Sequence, residues 1–327
     1  MKKIEINEYG SAAVLKSVES DIPVPGAGEI LIRATAIGLN FSDVLRRKNT
    51  YFMPTPLPYT LGSEAVGEIV KNGSGVPEEP FTIGSKVLAI LPWGGGYAEY
   101  IIAKADYCVP LPPNMKDRDA TSLFVQGSTA HLMVNHVAGD LKGKTVLVHA
   151  ASGGVGSLIV QLAKLAGAKV IAAASNSQKL EKARELGADL TINYTDANWV
   201  NNLIEQNQGE KVDCIFEMAG GRIFEECIET LKPGGTIIVY GSASGQKGFI
   251  HSERFVGENQ NLMSFNLAYY VQHKPELWQK SLGAMIELIA SGKIKVGDTH
   301  SYSLANAALA HRDLEERKTT GKVVLLP

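Results

Sequence analysis

Residues 145–175 read TVLVHAASGGVGSLIVQLAKLAGAKVIAAAS, an apolar run, a glycine-rich turn, a helical segment and a second apolar run. Ala151, Gly153 and Gly156 occupy the three marked positions of G-x-G-x-x-G, with Gly154 as an extra glycine. A glycine at 153 lets backbone approach a diphosphate, and one at 156 lets the following helix pack closely on the strand. The amides and dipole at the start of that helix then face the anion. Ala151 departs from the motif, but the strand before, the helix after and the next strand supply the context that the motif requires. Where the second strand ends, an acid would bind both ribose hydroxyls of NAD and repel a 2′-phosphate. Here the chain has Ala173, Ala174 and Ser175, then Asn176, Ser177 and Lys179. Small neutral donors beside a lysine suit a 2′-phosphate, so these residues favour NADPH over NADH. The chemistry implied is hydride transfer.

The elements that must hold this turn are legible as a change of pattern. From about Asp119, short apolar segments (TVLVHA, AKVIAAA, DLTIN, VDCIFEM, GTIIVYG, NLMSF) alternate with helical ones (GSLIVQLAKLAG, SQKLEKARELG, NWVNNLIEQN, RIFEECIETLKPGG). Continuous apolar strands separated by amphipathic helices predict a parallel sheet covered on both faces, here a six-stranded doubly wound Rossmann sheet. The stripe Leu158, Ile159, Leu162 and Leu165 is the expected buried face of its first helix. Before residue 120 the signals are those of strands and turns. Ile30, Ile32, Ala34 and Ala36 alternate on one face, VKNGSGV carries an Asn-Gly hairpin signal, and SKVLAILPWGGGYAEYIIA supplies two further strands. The expected division is a β-rich domain over 1–121, completed by a returning tail over 267–327, and a nucleotide-binding domain over 122–266.

With 327 residues, 45% apolar and 20% charged, the chain has the composition of a globular protein of two domains. A net charge of −2 argues against nucleic acid or an acidic membrane surface as partner. MKKIEINEYG lacks the apolar run of a secretory signal, and no stretch approaches the roughly 18 apolar residues of a membrane span. Cys108, Cys214 and Cys227 form no CxxC pair, which predicts reduced structural thiols in a cytoplasmic protein.

The order HAASGGVGS, QLAKLAGAKVI, ELGADLTINY, LKPGGTIIVYG, ASGKIK resembles the zinc-independent quinone oxidoreductase branch of the medium-chain dehydrogenase/reductase superfamily. AIGLNFSDVLRR, LGSEAVGEIV and TTGKVVLLP extend the resemblance over essentially the whole chain. It implies a GroES-like catalytic domain, a Rossmann domain, a cleft between them and a homodimer. Zinc-dependent relatives place a cysteine where this chain has Asn40, a histidine where it has Ser63, and four cysteines where 84–97 has none, so no metal is expected. The family's cofactor contacts fall on Thr129 at the nicotinamide ribose or carboxamide, and on Gly153, Gly154 and Val155 at the diphosphate. They fall on Ser175, Lys179 and Tyr194 at the adenosine phosphate, and on Tyr240, Gly241 and Ser242 after the fifth strand. Phe265, Asn266 and Leu267 lie beside the nicotinamide, and Arg317 near the end of the chain. Tyr194 as a core aromatic, Arg317 as part of a solvated charge run and Glu217 as either cofactor-facing or solvent-facing are the open alternatives.

Asn40 and Tyr51 match the family's catalytic cleft positions. A second cleft tyrosine of some members is Leu45 here, and Asp43, Tyr59 and Gln126 are nearby candidates. The expected activity is hydride transfer from NADPH to a small-molecule quinone or enone, with Asn40 and Tyr51 as hydrogen-bond donors and Tyr51 or water as proton source. Without zinc nothing strongly polarises a simple carbonyl, whereas a conjugated acceptor needs only hydrogen bonds to its developing oxyanion. The alternatives are an alkenal or enoyl double-bond reductase and a non-catalytic NADPH-binding module.

Overall fold

Six apolar segments of the second half pair side by side, all parallel, in a computed structural model that describes residues 1–327. In spatial order the strands are Leu190–Asn193, Lys169–Ala174, Thr145–His149, Val212–Glu217, Leu231–Val239 and Asn261–Ser264. In sequence order this is 3-2-1-4-5-6, the doubly wound arrangement, and its direction reverses between the first and fourth strands. Helices cover it: Gly154–Leu165 after the first strand, Ser177–Glu185 after the second, Trp199–Gln206 after the third. Leu158, Ile159 and Leu162 are buried as their spacing predicts. Leu165 is exposed, because Val160 and Ala163 turn the buried face of that helix away from it.

The chain divides into two compact units, Met1–Val125 with Asp298–Pro327, and Gln126–Gly297. The boundaries expected from sequence shift accordingly. Only the chain from Asp298 joins the first unit, and helix Pro275–Ala290 stays with the second. The reason is local packing. This helix buries Trp278, Leu282 and Met285, and its Ser281 hydroxyl lies 2.9 Å from Nδ1 of His131. Gln161 Nε2 donates to the Lys295 carbonyl at 2.9 Å and Gln161 Oε1 accepts from the Lys295 amide at 2.8 Å.

The first unit is mostly antiparallel. Its larger sheet runs Thr299–Ser303, Lys322–Leu326, Glu29–Leu39, Glu64–Asn72, Lys86–Ile90, Cys108–Pro110, with Tyr100–Lys104 also on Glu29–Leu39. The alternation predicted for Glu29–Leu39 breaks at Thr35. Ala34 pairs with Gly67 and Ala36 with Val66, so Thr35 is one residue too many. Such a bulge moves every later side chain to the opposite face. Ile30, Ile32 and Ala34 enter the main core, as do Ile37 and Leu39, while Ala36 does not. The Asn-Gly hairpin signal also fails. Asn72 ends its strand by donating to the Phe81 carbonyl at 2.7 Å, and the next strand starts only at Lys86. A β-carbon on Gly73 would overlap the Gly26 carbonyl, so close backbone packing is what this glycine serves.

Candidate functional site

In the second unit, the predicted cofactor residues gather at the carboxyl ends of the parallel strands. Ser175 follows the second strand, Tyr194 the third, Tyr240–Ser242 the fifth and Phe265–Leu267 the sixth, while Gly153–Val155 lie in the turn after the first. This is the edge where open α/β sheets bind ligands. The turn after Thr145–His149 is strained: Ala150, not Ala151, takes the left-handed conformation at φ 50°. A β-carbon on Gly156 would overlap the Ala150 carbonyl, which is the close helix-strand contact the motif foretells. A β-carbon on Gly154 would overlap the Gln126 amide, which therefore lies against the turn. Gly153, Gly154 and Val155 stay partly accessible at the head of their helix, where first-turn amides have no intrahelical acceptor. The cradle fits a diphosphate.

Beyond the second strand, the Asn176 side chain caps helix Ser177–Glu185 by accepting from the Lys179 amide at 3.0 Å. Ser175 and Lys179 remain half-buried beside it, with no carboxylate among 173–180 to oppose a 2′-phosphate. Tyr194 stacks on His149, with ring centroids 6.2 Å apart. Thr129 is buried in helix Thr129–Leu132. Phe265 is buried and stacks on Tyr270 at 5.1 Å, and Asn266 caps helix Leu267–His273 by accepting from the Ala268 amide at 2.9 Å. Gly241 and Ser242 are exposed, and the Ser242 hydroxyl donates to the Gln246 carbonyl at 3.1 Å.

Glu217 turns inward. Its Oε1 accepts from the Ala219 and Gly220 amides at 2.6 and 2.9 Å, whereas Oε2 is buried without a partner. Burial raises its pKa, and burial together with Glu217 raises that of the Tyr240 phenol.

The first unit holds Asn40, Tyr51 and Arg317. Arg317 lies on an exposed turn at φ 58°, after helix Ala307–Glu315. Asn40 precedes helix Phe41–Arg47 and is 4% exposed. Its Nδ2 donates to Glu64 Oε1 at 2.7 Å, and its Oδ1 accepts from Lys322 Nζ at 3.0 Å. Lys322 Nζ also bonds Glu64 Oε1 at 2.5 Å, and Glu64 Oε2 accepts from the Val125 amide at 3.0 Å. Glu64 and Lys322 are wholly buried. One Nδ2 hydrogen of Asn40 is left to offer a ligand. Asp43 lies beneath, accepting from the Asn40 and Gly62 amides at 2.9 and 3.2 Å; its burial outweighs those bonds and raises its pKa to about 6.

The Tyr51 face is covered by the Arg46 guanidinium, 4.6 Å from the ring centroid, and Tyr59 lies on the same cation at 5.7 Å. Burial raises the pKa of both phenols, and Arg46 opposes the rise. Leu45, on the same helix, is half-buried. The Glu64–Lys322 pair and Arg46 escaped the sequence reading. Their signal was a charged residue inside an apolar run, as in LGSEAVG and GKVVLLP. No group of three or more His, Cys, Asp or Glu side chains converges to hold a metal ion.

A phosphate-binding turn on a doubly wound sheet, joined in one chain to a separate β-rich unit, defines a dinucleotide-dependent oxidoreductase. Residues 26–113 match the alcohol dehydrogenase GroES-like domain and 154–287 the zinc-binding dehydrogenase domain. The chain is 32% identical to a quinone oxidoreductase of Pseudomonas aeruginosa, over all of this chain and 99% of that one. It is 30% identical to a 2-haloacrylate reductase of a Burkholderia species, over 94% of each. The Escherichia coli quinone oxidoreductase complexed with NADPH superposes over the full length of both chains, with a TM-score of 0.91 and 30% identity. The chain therefore belongs to the quinone oxidoreductase branch of the medium-chain dehydrogenase/reductase superfamily.

Proposed function

We propose that this chain is an NADPH-dependent, zinc-independent reductase of quinones and similar conjugated carbonyls. One observation carries the metal-free reading: the Lys322 ammonium lies against Asn40 and Glu64. A fixed cation already neutralises the carboxylate bonded to the Asn40 side chain, and the soft ligands a catalytic zinc requires are replaced by Asn40 and Ser63. Elemental analysis finding stoichiometric zinc in the purified protein would end this reading.

The dinucleotide, when bound, supplies the hydride. Gly153, Gly154 and Val155 hold its diphosphate, and Ser175 and Lys179 its 2′-phosphate, with Tyr194 beside the adenosine. Thr129, Tyr240, Gly241, Ser242 and Phe265–Leu267 form the remainder of the cofactor contacts within the second unit. Asn40 offers its remaining Nδ2 hydrogen to an acceptor oxygen, and Tyr51 gives the proton. Its raised pKa keeps the phenol protonated at neutral pH. A positioned acid contributes roughly 10²–10⁴ in rate, so Tyr51→Phe should lower kcat at least tenfold. A loss of only a few-fold assigns the proton to water.

A charge-assisted hydrogen bond contributes about 1.5–3 kcal/mol. Lys179→Ala should therefore weaken NADPH binding roughly ten- to a hundredfold in calorimetric titration, with NADH little affected. Equal losses for both cofactors remove Lys179 from the phosphate site.

NADPH oxidation measured in parallel with 1,4-benzoquinone, phenanthrenequinone and crotonaldehyde tests the acceptor class. The 2-haloacrylate reductase relative favours one second reading, reduction of an activated carbon–carbon double bond. Faster turnover of crotonaldehyde than of either quinone selects it. Tight NADPH binding with no turnover selects a non-catalytic module.

We also propose a homodimer in the cytoplasm. Asn261–Ser264 is an edge strand exposed along its length, with Leu262 and Met263 open to solvent, and such an edge invites pairing across a twofold axis. Its three cysteines are free and buried, as a reducing compartment would leave them, and no helix is long and apolar enough to cross a membrane.

A further inference from the structure

Two consecutive arginines end helix Phe41–Arg47, and the fold treats them differently. Arg47 is fully buried and fully engaged: it donates to the Gly10 carbonyl at 3.1 Å and to Glu315 at 2.6 Å, and lies 3.3 Å from Nδ1 of His311. Arg46 is 5% exposed and has no carboxylate within ion-pair distance. Only its Nη2 bonds to protein, donating to the Pro92 carbonyl at 3.2 Å with Met53 Sδ at 3.9 Å. Nε and Nη1 donate to no protein acceptor, yet neither is sealed from solvent.

A buried guanidinium beside two tyrosine rings loses water and gains little charge compensation. Burying a cation this way is costly unless something anionic completes it. The guanidinium carbon lies 4.6 Å from the ring centroid of Tyr51, the group assigned above as proton source. Guanidinium donors facing outward match the planar, two-oxygen geometry of a carboxylate better than any neutral group.

We propose that Arg46 recognises a carboxylate on the acceptor, so that the preferred substrates are conjugated carbonyl compounds carrying an acid group. This rests on the reading of the chain as an NADPH-dependent reductase of conjugated acceptors. The anion binds Nε and Nη1 of Arg46, and the conjugated system extends from it toward the Tyr51 phenol. Arg46 acts on specificity and takes no part in proton or hydride transfer.

The test compares trans-3-benzoylacrylate with its methyl ester, both enones, and runs phenanthrenequinone beside them. The unaltered protein should show a kcat/KM for the acid at least tenfold above that for the ester, expressed mainly in KM and shrinking as salt is raised. In Arg46→Met the acid-to-ester ratio should fall to about one, and Arg46→Lys should keep part of it. Because each ratio is internal to one variant, general damage to folding cancels. A ratio near one in the unaltered protein, or the same ratio in Arg46→Met, overturns the role of Arg46 while phenanthrenequinone turnover leaves the reductase reading standing. No turnover of any of the three refutes both.

Discussion

Lys322→Met should lower the free energy of unfolding by about 3–5 kcal/mol, the cost of removing one partner of a buried ion pair. The ammonium is the partner of two groups at once, Glu64 Oε1 and Asn40 Oδ1, all of them out of contact with water. Methionine matches the aliphatic stem but strands a carboxylate and an amide oxygen. Glu64 cannot simply be deleted in compensation, because it also accepts from Asn40 Nδ2 and from the Val125 amide. Glu64→Gln in the Lys322→Met background removes the charge while keeping an acceptor. The pair should therefore recover about 2 kcal/mol of the loss, the scale of an unpaired buried polar group. Urea denaturation of the parent, the single variant and the double variant measures both terms. A single Lys322→Met variant within 1 kcal/mol of the parent, or a double variant no better than the single, contradicts this account of the pair.

The second large effect is acid instability. His149 and His311 are fully buried, and burial depresses their pKa values to about 4 and about 3, with Arg47 adding to the effect on His311. His149 lies against the rings of Tyr194 and Trp199, and both its nitrogens lack partners; His311 lies between Arg47 and the Tyr97 hydroxyl. Unfolded histidine titrates near 6.5, so between pH 6.5 and 4 the unfolded chain binds more protons and stability falls as pH falls. Each site loses about 2 kcal/mol between pH 7 and pH 5. Asp43 works the other way. Its folded pKa near 6 exceeds the unfolded value, so it regains about 1 kcal/mol over the same range. These three groups together lose about 3 kcal/mol by pH 5, and His131, whose burial lowers its pKa to about 4, adds to the loss. Denaturant midpoints at pH 7 and pH 5 should show it, and His149→Phe should cut it by about 2 kcal/mol. An unchanged pH dependence in that variant places the sensitivity elsewhere.

Much of this molecule was legible from its residues. The six parallel strands announced themselves because both faces of the sheet are covered, which leaves uninterrupted apolar runs such as VLVH and VIAAA. The phosphate turn was readable because Gly153 and Gly156 answer to steric demands that are local in sequence. What stayed hidden depends on distant pairing or on a competing contact. Lys322 and Glu64 are 258 residues apart, so nothing in either neighbourhood reveals the other. Arg46 reads as one of two basic residues at a helix end, and only tertiary packing separates its fate from that of Arg47. Asn72-Gly73 carries a strong hairpin signal that contacts with Phe81 and Gly26 override. The helix Pro275–Ala290 has an apolar stripe that fits either unit in principle, and its bond to His131 decides the matter.

Thr35 bears on all of the first unit's chemistry without belonging to it. Downstream of that surplus residue, Gly38 faces Glu64 across the pairing, and a β-carbon on Gly38 would overlap the carboxylate. Asn40, two residues further on, inherits the same aim. Strand length, counted in single residues, thus orients the amide and keeps the ammonium within its reach. A further residue inserted before Asn40 with no bulge to absorb it would turn the amide toward the apolar interior, whereas loss of Thr35 would leave Ala36–Leu39 on their present partners.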